Sequence, residues 1–164
     1  MVSSCVIDSP VGPLRLRADR DHLVGLAFDD RGVACGGEDG VFADTARQLR
    51  EYFRGERESF DVPLRFDRGS EFERRVWQAL LEIPYGATTT YGEVAASLGE
   101  PGAARAVGAA NGRNPIAIIV PCHRVIGAGG RLTGYGGGLP RKRALLALEG
   151  AAAADAGRSP QLSF

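Results

Sequence analysis

Residues 90–113 read TYGEVAASLGEPGAARAVGAANGR, and they decide the fold of the second half of the chain. Thr90 followed by Glu93 has the spacing of a capping box, in which hydroxyl and carboxylate satisfy the free amides of a helix start. Tyr91, Val94, Ala95 and Leu98 then share one helical face. Gly99-Glu100-Pro101-Gly102 supplies a tight turn into a further helix, from Ala103 to about Arg113. Two short helices joined by a glycine-containing turn fit a helix-turn-helix, and equally an ordinary helical hairpin. The second helix favours the former. Ala103, Ala106, Val107 and Ala110 form an inward stripe, while Arg105, Gly108, Ala109 and Gly112 form a face almost without bulk. Glycine in a helix costs roughly 1 kcal/mol relative to alanine, so that face implies close approach to another surface. The B-DNA minor groove, about 6 Å wide, is one such surface; the protein's own backbone is the other.

Upstream, Ser70 and Glu73 form a second capping box, opening a helix that carries Phe72, Val76, Leu80 and Ile83 and stops at Pro84-Tyr85-Gly86. Downstream, the apolar run 116–120 lies between Asn114-Pro115 and Pro121 and reads as a buried strand. It leads into Pro121-Cys122-His123-Arg124-Val125. Cys122 is then either a buried small hydrophobe or a nucleophile where a strand leaves its sheet. Residues 127–138 hold seven glycines in twelve positions, a flexible linker or a pocket wall built from backbone groups. The final helix opens at Pro140 and should bury Ala144, Leu145 and Leu148; the tail after about 151 is expected to be disordered.

The first half reads as a small α/β domain. Short apolar segments at 5–7, 14–18 and 23–28 flank turn-rich residues and predict an antiparallel hairpin or meander. A glycine-rich loop follows over 31–40. Phe42, Ala46, Leu49 and Phe53 have helical spacing, and Gly55 closes that helix. Asp67-Arg68-Gly69 marks the boundary, giving domains 1–69 and 70–164. The fold class is α+β: a small sheet-bearing domain, then a mostly helical one with a winged-helix-like helix-turn-helix.

With 164 residues, 44% hydrophobic and 24% charged, the chain has an ordinary globular composition. No apolar stretch approaches the ~20 residues needed to span a bilayer, and Met1 to Cys5 show no secretory leader. Residues 1–69 hold 10 basic against 13 acidic side chains and the remainder 10 against 7, so the second half is mildly basic and compatible with a polyanion. Lys142 is the one lysine. Three cysteines at wide spacing argue against a disulfide framework and for the cytoplasm. Cys5, His22 and Cys35 are too far apart to form a local metal site, and no cofactor is expected.

Glu149 closes the last helix, where the macrodipole disfavours an acid by a few tenths of a kcal/mol or more. It is either a solvated surface group or the acid of a cysteine–histidine–acid relay, aimed at His123. Side chains adjacent on an extended segment point apart, so a water or a sharp turn would be needed to join His123 to the thiol.

At this point the chain resembles the O6-alkylguanine-DNA alkyltransferases. Pro121-Cys122-His123-Arg124-Val125 is similar to that family's active-site signature. Ile83-Pro84-Tyr85-Gly86, Thr90-Tyr91-Gly92, residues 103–108, Gly112-Arg113-Asn114-Pro115, Tyr135-Gly136-Gly137-Gly138 and Leu148-Glu149-Gly150 follow the same pattern in order. The match covers about 70–150; the first half fits the family's variable domain loosely. The resemblance implies single-turnover repair of double-stranded DNA, with an alkyl group passing from guanine O6, and from thymine O4, to Cys122. The target base is flipped out through the minor groove. It implies that His123 (through water) and Glu149 activate the thiol, and that Asn114 holds the segment. Arg105 would enter the stack, with Ala104 and Gly108 beside it on the DNA-facing helix. Tyr91 would donate to guanine N3, or serve merely in packing. The Cys122 and Val125 carbonyls would read the guanine amino group, with Tyr135 and Gly136 on the pocket wall. Gly136 departs from a common serine. No metal, no membrane and a monomer are expected. The other readings are a lesion-binding module of the alkyltransferase-like kind, whose members lack the acceptor cysteine, and a cysteine hydrolase.

Overall fold

The computed structural model describes residues 2–30 and 40–151. The expected loop over 31–40, apart from Gly40, Cys35 and the expected disordered tail beyond Ala151 lie outside the described residues. The chain divides into two compact units, with the break after Asp67.

In the first unit, β1 (Val2–Ile7), β2 (Leu14–Asp19) and β3 (His22–Phe28) form an antiparallel meander in the order β1-β2-β3. Their inner positions, among them Leu14, Leu16, Leu23, Val24 and Leu26, are fully buried. Helix α1 (Gly40–Phe53) adds Ala46, Leu49, Tyr52 and Phe53 to this unit's core. Gly55, at φ +75°, ends the turn after α1 in the left-handed region, as a helix stop requires. Leu64 makes a parallel bridge to Leu23. The cysteine count argued against a disulfide framework and for a reducing compartment, yet Cys5 is disulfide-bonded. Its sulfur is therefore not a thiolate ligand for a metal. Among the described residues Cys122 is the free cysteine.

The second unit is helical. Helix α2 (Glu71–Leu80) starts on a complete capping box: Glu73 N–H donates to Ser70 Oγ at 3.1 Å, and Ser70 N–H to Glu73 Oε1 at 2.9 Å. Helix α3 (Tyr91–Ser97) follows the two-residue strand β4 (Thr89–Thr90), and Thr90 Oγ1 accepts from Glu93 N–H. Gly99, at φ +77°, turns the chain; Glu100 N–H reaches Ala95 O and Gly99 N–H reaches Ala96 O, closing α3 with both bonds of a Schellman motif. Helix α4 (Ala104–Gly112) packs on α3 and α2, and Trp77 Nε1 donates to Ala110 O at 2.8 Å in the buried seam. The architecture is the expected α+β one: a sheet-bearing unit followed by a helical unit with a helix-turn-helix.

Three local expectations change. Residues 116–120 are buried but form a turn, not a strand. Asn114 takes both ends of it, accepting from Ile116 N–H at 3.0 Å and donating Nδ2–H to Val120 O at 2.7 Å; Ile118 sits at φ +71°. On α4 the inward stripe is Val107, Ala110 and Asn111, while Ala106 is exposed. Gly108 faces the Tyr91 ring instead of open space, a Cβ there lying 3.7 Å from Tyr91 Cδ1. Helix α5 (Leu139–Leu148) buries Lys142, Leu145 and Leu146, with Glu149 next on the same face, whereas Ala144 and Leu148 stay half-buried. Ala151, at the edge of the expected frayed tail, is buried with Ile126, Leu132 and Leu146.

Candidate active site

Cys122, His123 and Arg124 form one turn of 3-10 helix, leading directly into strand β5 (Val125–Ile126). The turn follows from Pro121, whose carbonyl accepts Arg124 N–H at 3.0 Å. Strand β5 pairs in parallel with β4, Thr89 opposite Val125 and Thr90 opposite Ile126. This pairing places the start of α3, and so Tyr91, beside the segment that carries the cysteine.

Glu149 collects the site. Its side chain is fully buried, and its Oε2 lies 2.7 Å from His123 Nε2. Arg124 donates Nε–H to Oε1 at 2.8 Å and Nη2–H to Oε2 at 3.0 Å, a forked pair that fixes the carboxylate plane. Arg124 also donates to Ile83 O at 2.7 Å and lies over the Tyr85 ring. Burial alone would raise the Glu149 pKa, but the charges and hydrogen bonds of His123 and Arg124 outweigh it and bring it down to about 2. A carboxylate only accepts, so His123 Nε2 carries a proton. Nδ1, buried and without a hydrogen-bond partner among the described residues, then holds a lone pair whenever the ring is neutral. The acid at a helix C-terminus thus has its explanation: it is paid for by two buried cations or cation-forming groups.

Cys122 is buried and free. Burial pushes its thiol pKa up, opposed by a hydrogen bond to Asn114 and by the positive charge of Lys142. The resting group is a thiol, and a base is needed to make the nucleophile. Asn111, not singled out from sequence, donates Nδ2–H to Cys122 O at 3.3 Å. Its signal was a polar residue on the inward stripe of α4. Lys142 is fully buried and donates to Val125 O at 2.7 Å and Thr133 O at 3.0 Å; burial lowers its pKa to about 8. Tyr135 has its hydroxyl pKa raised well above normal by burial, then by the negative charges of Cys122 and Glu149. Tyr91 Oη lies 2.8 Å from Thr133 Oγ1.

The sequence-expected residues therefore divide by place. Cys122, His123, Glu149, Asn114 and Val125 share one buried centre, with Tyr91 and Tyr135 at its edge. Arg105 is exposed on α4, Ala104 half-buried beside it, and Gly136 exposed with room for a serine side chain. Such a site can deprotonate a buried thiol and shelter the reaction from water. Among the described residues no group of His, Cys, Asp and Glu is arranged to hold a metal ion, and no helix is long and apolar enough to cross a membrane.

Two family models match. Residues 71–151 match the DNA-binding domain of 6-O-methylguanine DNA methyltransferase, and residues 4–66 its ribonuclease-like domain. A methylated-DNA–protein-cysteine methyltransferase of Mycobacterium tuberculosis is 54% identical over 154 residues, covering 91% of this chain and 93% of the relative. The crystal structure of the Mycobacterium tuberculosis O6-methylguanine methyltransferase superposes with a TM-score of 0.82 at 55% identity, over 94% of this chain and 97% of that one. A crystal structure of Mycobacterium tuberculosis OGT in complex with DNA gives a TM-score of 0.80 at 55% identity, over 88% of this chain and 91% of that one.

Proposed function

The chain belongs to the 6-O-methylguanine DNA methyltransferase family, and from that premise we propose that it repairs DNA by moving an alkyl group from guanine O6, and from thymine O4, onto its own Cys122. The observation that carries this reading is a free buried thiol two residues before an arginine that shares Glu149 with His123. His123 Nδ1 takes the thiol proton through a bridging water, and Glu149 stabilises the imidazolium that results. The sulfur pair forms the new S–C bond; the C–O6 bond breaks and its electrons pass into the guanine ring. Tyr91 hydrogen-bonds N3, where part of that charge develops, and the guanine anion takes up a proton from solvent. Asn114 and Asn111 hold the turn and the Cys122 carbonyl. The Cys122 and Val125 carbonyls read the guanine amino group, and Tyr135 and Gly136 line the pocket.

The helix-turn-helix supplies the approach to DNA. Arg105, Ala106, Ala109 and Gly112 are exposed on α4 and present little bulk around one arginine, with Ala104 and Gly108 half-buried beside them. Such a helix suits the minor groove, where a side chain can replace an extruded base. The thioether product has no route back to a thiol, so each molecule acts once, as a monomer. A cytoplasmic location is part of this reading, because the acceptor Cys122 must stay a free thiol; the disulfide at Cys5 does not involve it.

The test is the intact mass of the protein after incubation with a duplex containing O6-methylguanine. One methyl group, mapping to Cys122, is expected. Tight lesion binding without a mass change would point instead to a binding module. Arg105→Ala should slow repair in duplex DNA by about tenfold or more, the few kcal/mol of unstacking being left unassisted, and barely change the reaction with free O6-benzylguanine. Equal losses on both substrates would remove Arg105 from base extrusion.

A further inference from the structure

The hydroxyl of Thr133 faces that of Tyr91 at 2.8 Å, and either oxygen can be the donor. Both residues are fixed on other grounds. The Thr133 carbonyl accepts from the buried Lys142 Nζ at 3.0 Å. Its methyl carbon Cγ2 lies 3.0 Å from the place a Cβ would occupy on Gly127, so it fills the space left by that glycine. Gly127 N–H is in turn bonded to Arg131 O. The Tyr91 ring lies along α4 at Gly108, and its backbone follows β4, which pairs with β5. With both heavy-atom frames held, the freedom left to this pair is rotation of the two hydroxyl hydrogens.

That rotation has a chemical consequence. A phenol has one hydrogen to give. When Tyr91 donates to Thr133, its oxygen would meet the guanine N3 lone pair with a lone pair of its own. When Thr133 donates to Tyr91, the phenol hydrogen is free for N3. We propose that Thr133 is a positioning residue for alkyl transfer: its hydroxyl donates to Tyr91 and directs the Tyr91 hydrogen at the leaving guanine. The inference rests on Tyr91 donating to N3, as read above. A chain of hydroxyls in one direction also polarises the last donor, so the bond to N3 strengthens as charge builds there. No proton changes owner in this step; the S–C bond forms and the C–O6 bond breaks as before.

The experiment is single-turnover methyl transfer by the full chain, on duplexes bearing O6-methylguanine or O6-methyl-3-deazaguanine, in which N3 is a C–H. Thr133→Val keeps the shape and removes the hydroxyl. It should slow transfer from O6-methylguanine roughly three- to tenfold, the range of one hydrogen bond, with lesion affinity near wild type. Thr133→Ser should restore the rate. Adding Thr133→Val to Tyr91→Phe should cost nothing more, and on the 3-deaza substrate Thr133→Val should match wild type. A wild-type rate for Thr133→Val on O6-methylguanine overturns the proposal, as does an equal loss on both substrates, which would mark a role in loop structure. Thr133→Ala serves the same comparison should valine crowd Gly127. A wild-type rate for Tyr91→Phe overturns the underlying reading of Tyr91, and is a separate outcome.

Discussion

Glu149→Ala is expected to cost about 3–5 kcal/mol of stability, the range for removing one partner of a buried ion pair. The Arg124 side chain is 8% exposed and would keep a single hydrogen bond, to Ile83 O. Against a total of about 5–15 kcal/mol for a domain, the loss should be plain in the urea midpoint. Glu149→Gln should be milder in stability but lose roughly 10²–10⁴ in transfer rate, the scale of general acid–base catalysis, since an amide cannot support an imidazolium. The pH dependence follows from the depressed pKa. Glu149 titrates near 2 when folded against 4.5 ordinarily, so its contribution is present above 4.5 and lost as pH falls towards 2. Wild type should lose stability across that window more steeply than Glu149→Gln. Equal midpoints for wild type and Glu149→Ala at neutral pH would sink this account of the pair.

Cys122→Ser should abolish transfer and leave the fold nearly as stable as before. The side chains are close in size, and a serine oxygen can accept the hydrogen bond that Asn114 makes to the Cys122 sulfur. The loss is chemical: a thiolate is the reactive species, and His123 cannot make an alkoxide of comparable concentration at neutral pH. The variant should still bind a duplex with O6-methylguanine, and its intact mass should not change on long incubation. A methyl adduct on the variant would move the acceptor to another residue.

Local features were legible in the sequence because their causes are local. Ser70 with Glu73 and Gly99 before Glu100 specify their caps within a few residues, and α3 and α4 lie where those signals put them, whereas α2 starts on its box but ends at Leu80, leaving Ile83, expected on that helix, beyond its end. Glu149 was legible for the opposite reason, as an acid where the helix dipole disfavours one. The turn at 116–120 was not. A β-branched apolar run looks the same buried in a strand or in a turn, and what bends it is the Asn114 side chain with Ile118 at positive φ. The inward face of α5 was misjudged because Lys142 and Glu149 occupy half of it, which erases any hydrophobic period. Arg124, Asn111 and Thr133 escaped because their partners lie elsewhere in the chain: Ile83 O and Glu149, Cys122 O, and Tyr91 Oη.

Lys142 is the only lysine in the chain, and it is buried on two carbonyls. For amine-directed reagents the folded protein therefore offers no side-chain target, even though burial lowers the Lys142 pKa to about 8 and so favours the uncharged amine. Acylation at Lys142 would happen only in molecules that have opened around α5. A single acyl mark, located by peptide mass, would thus count excursions of this one helix, giving an unfolding clock that needs no engineered probe.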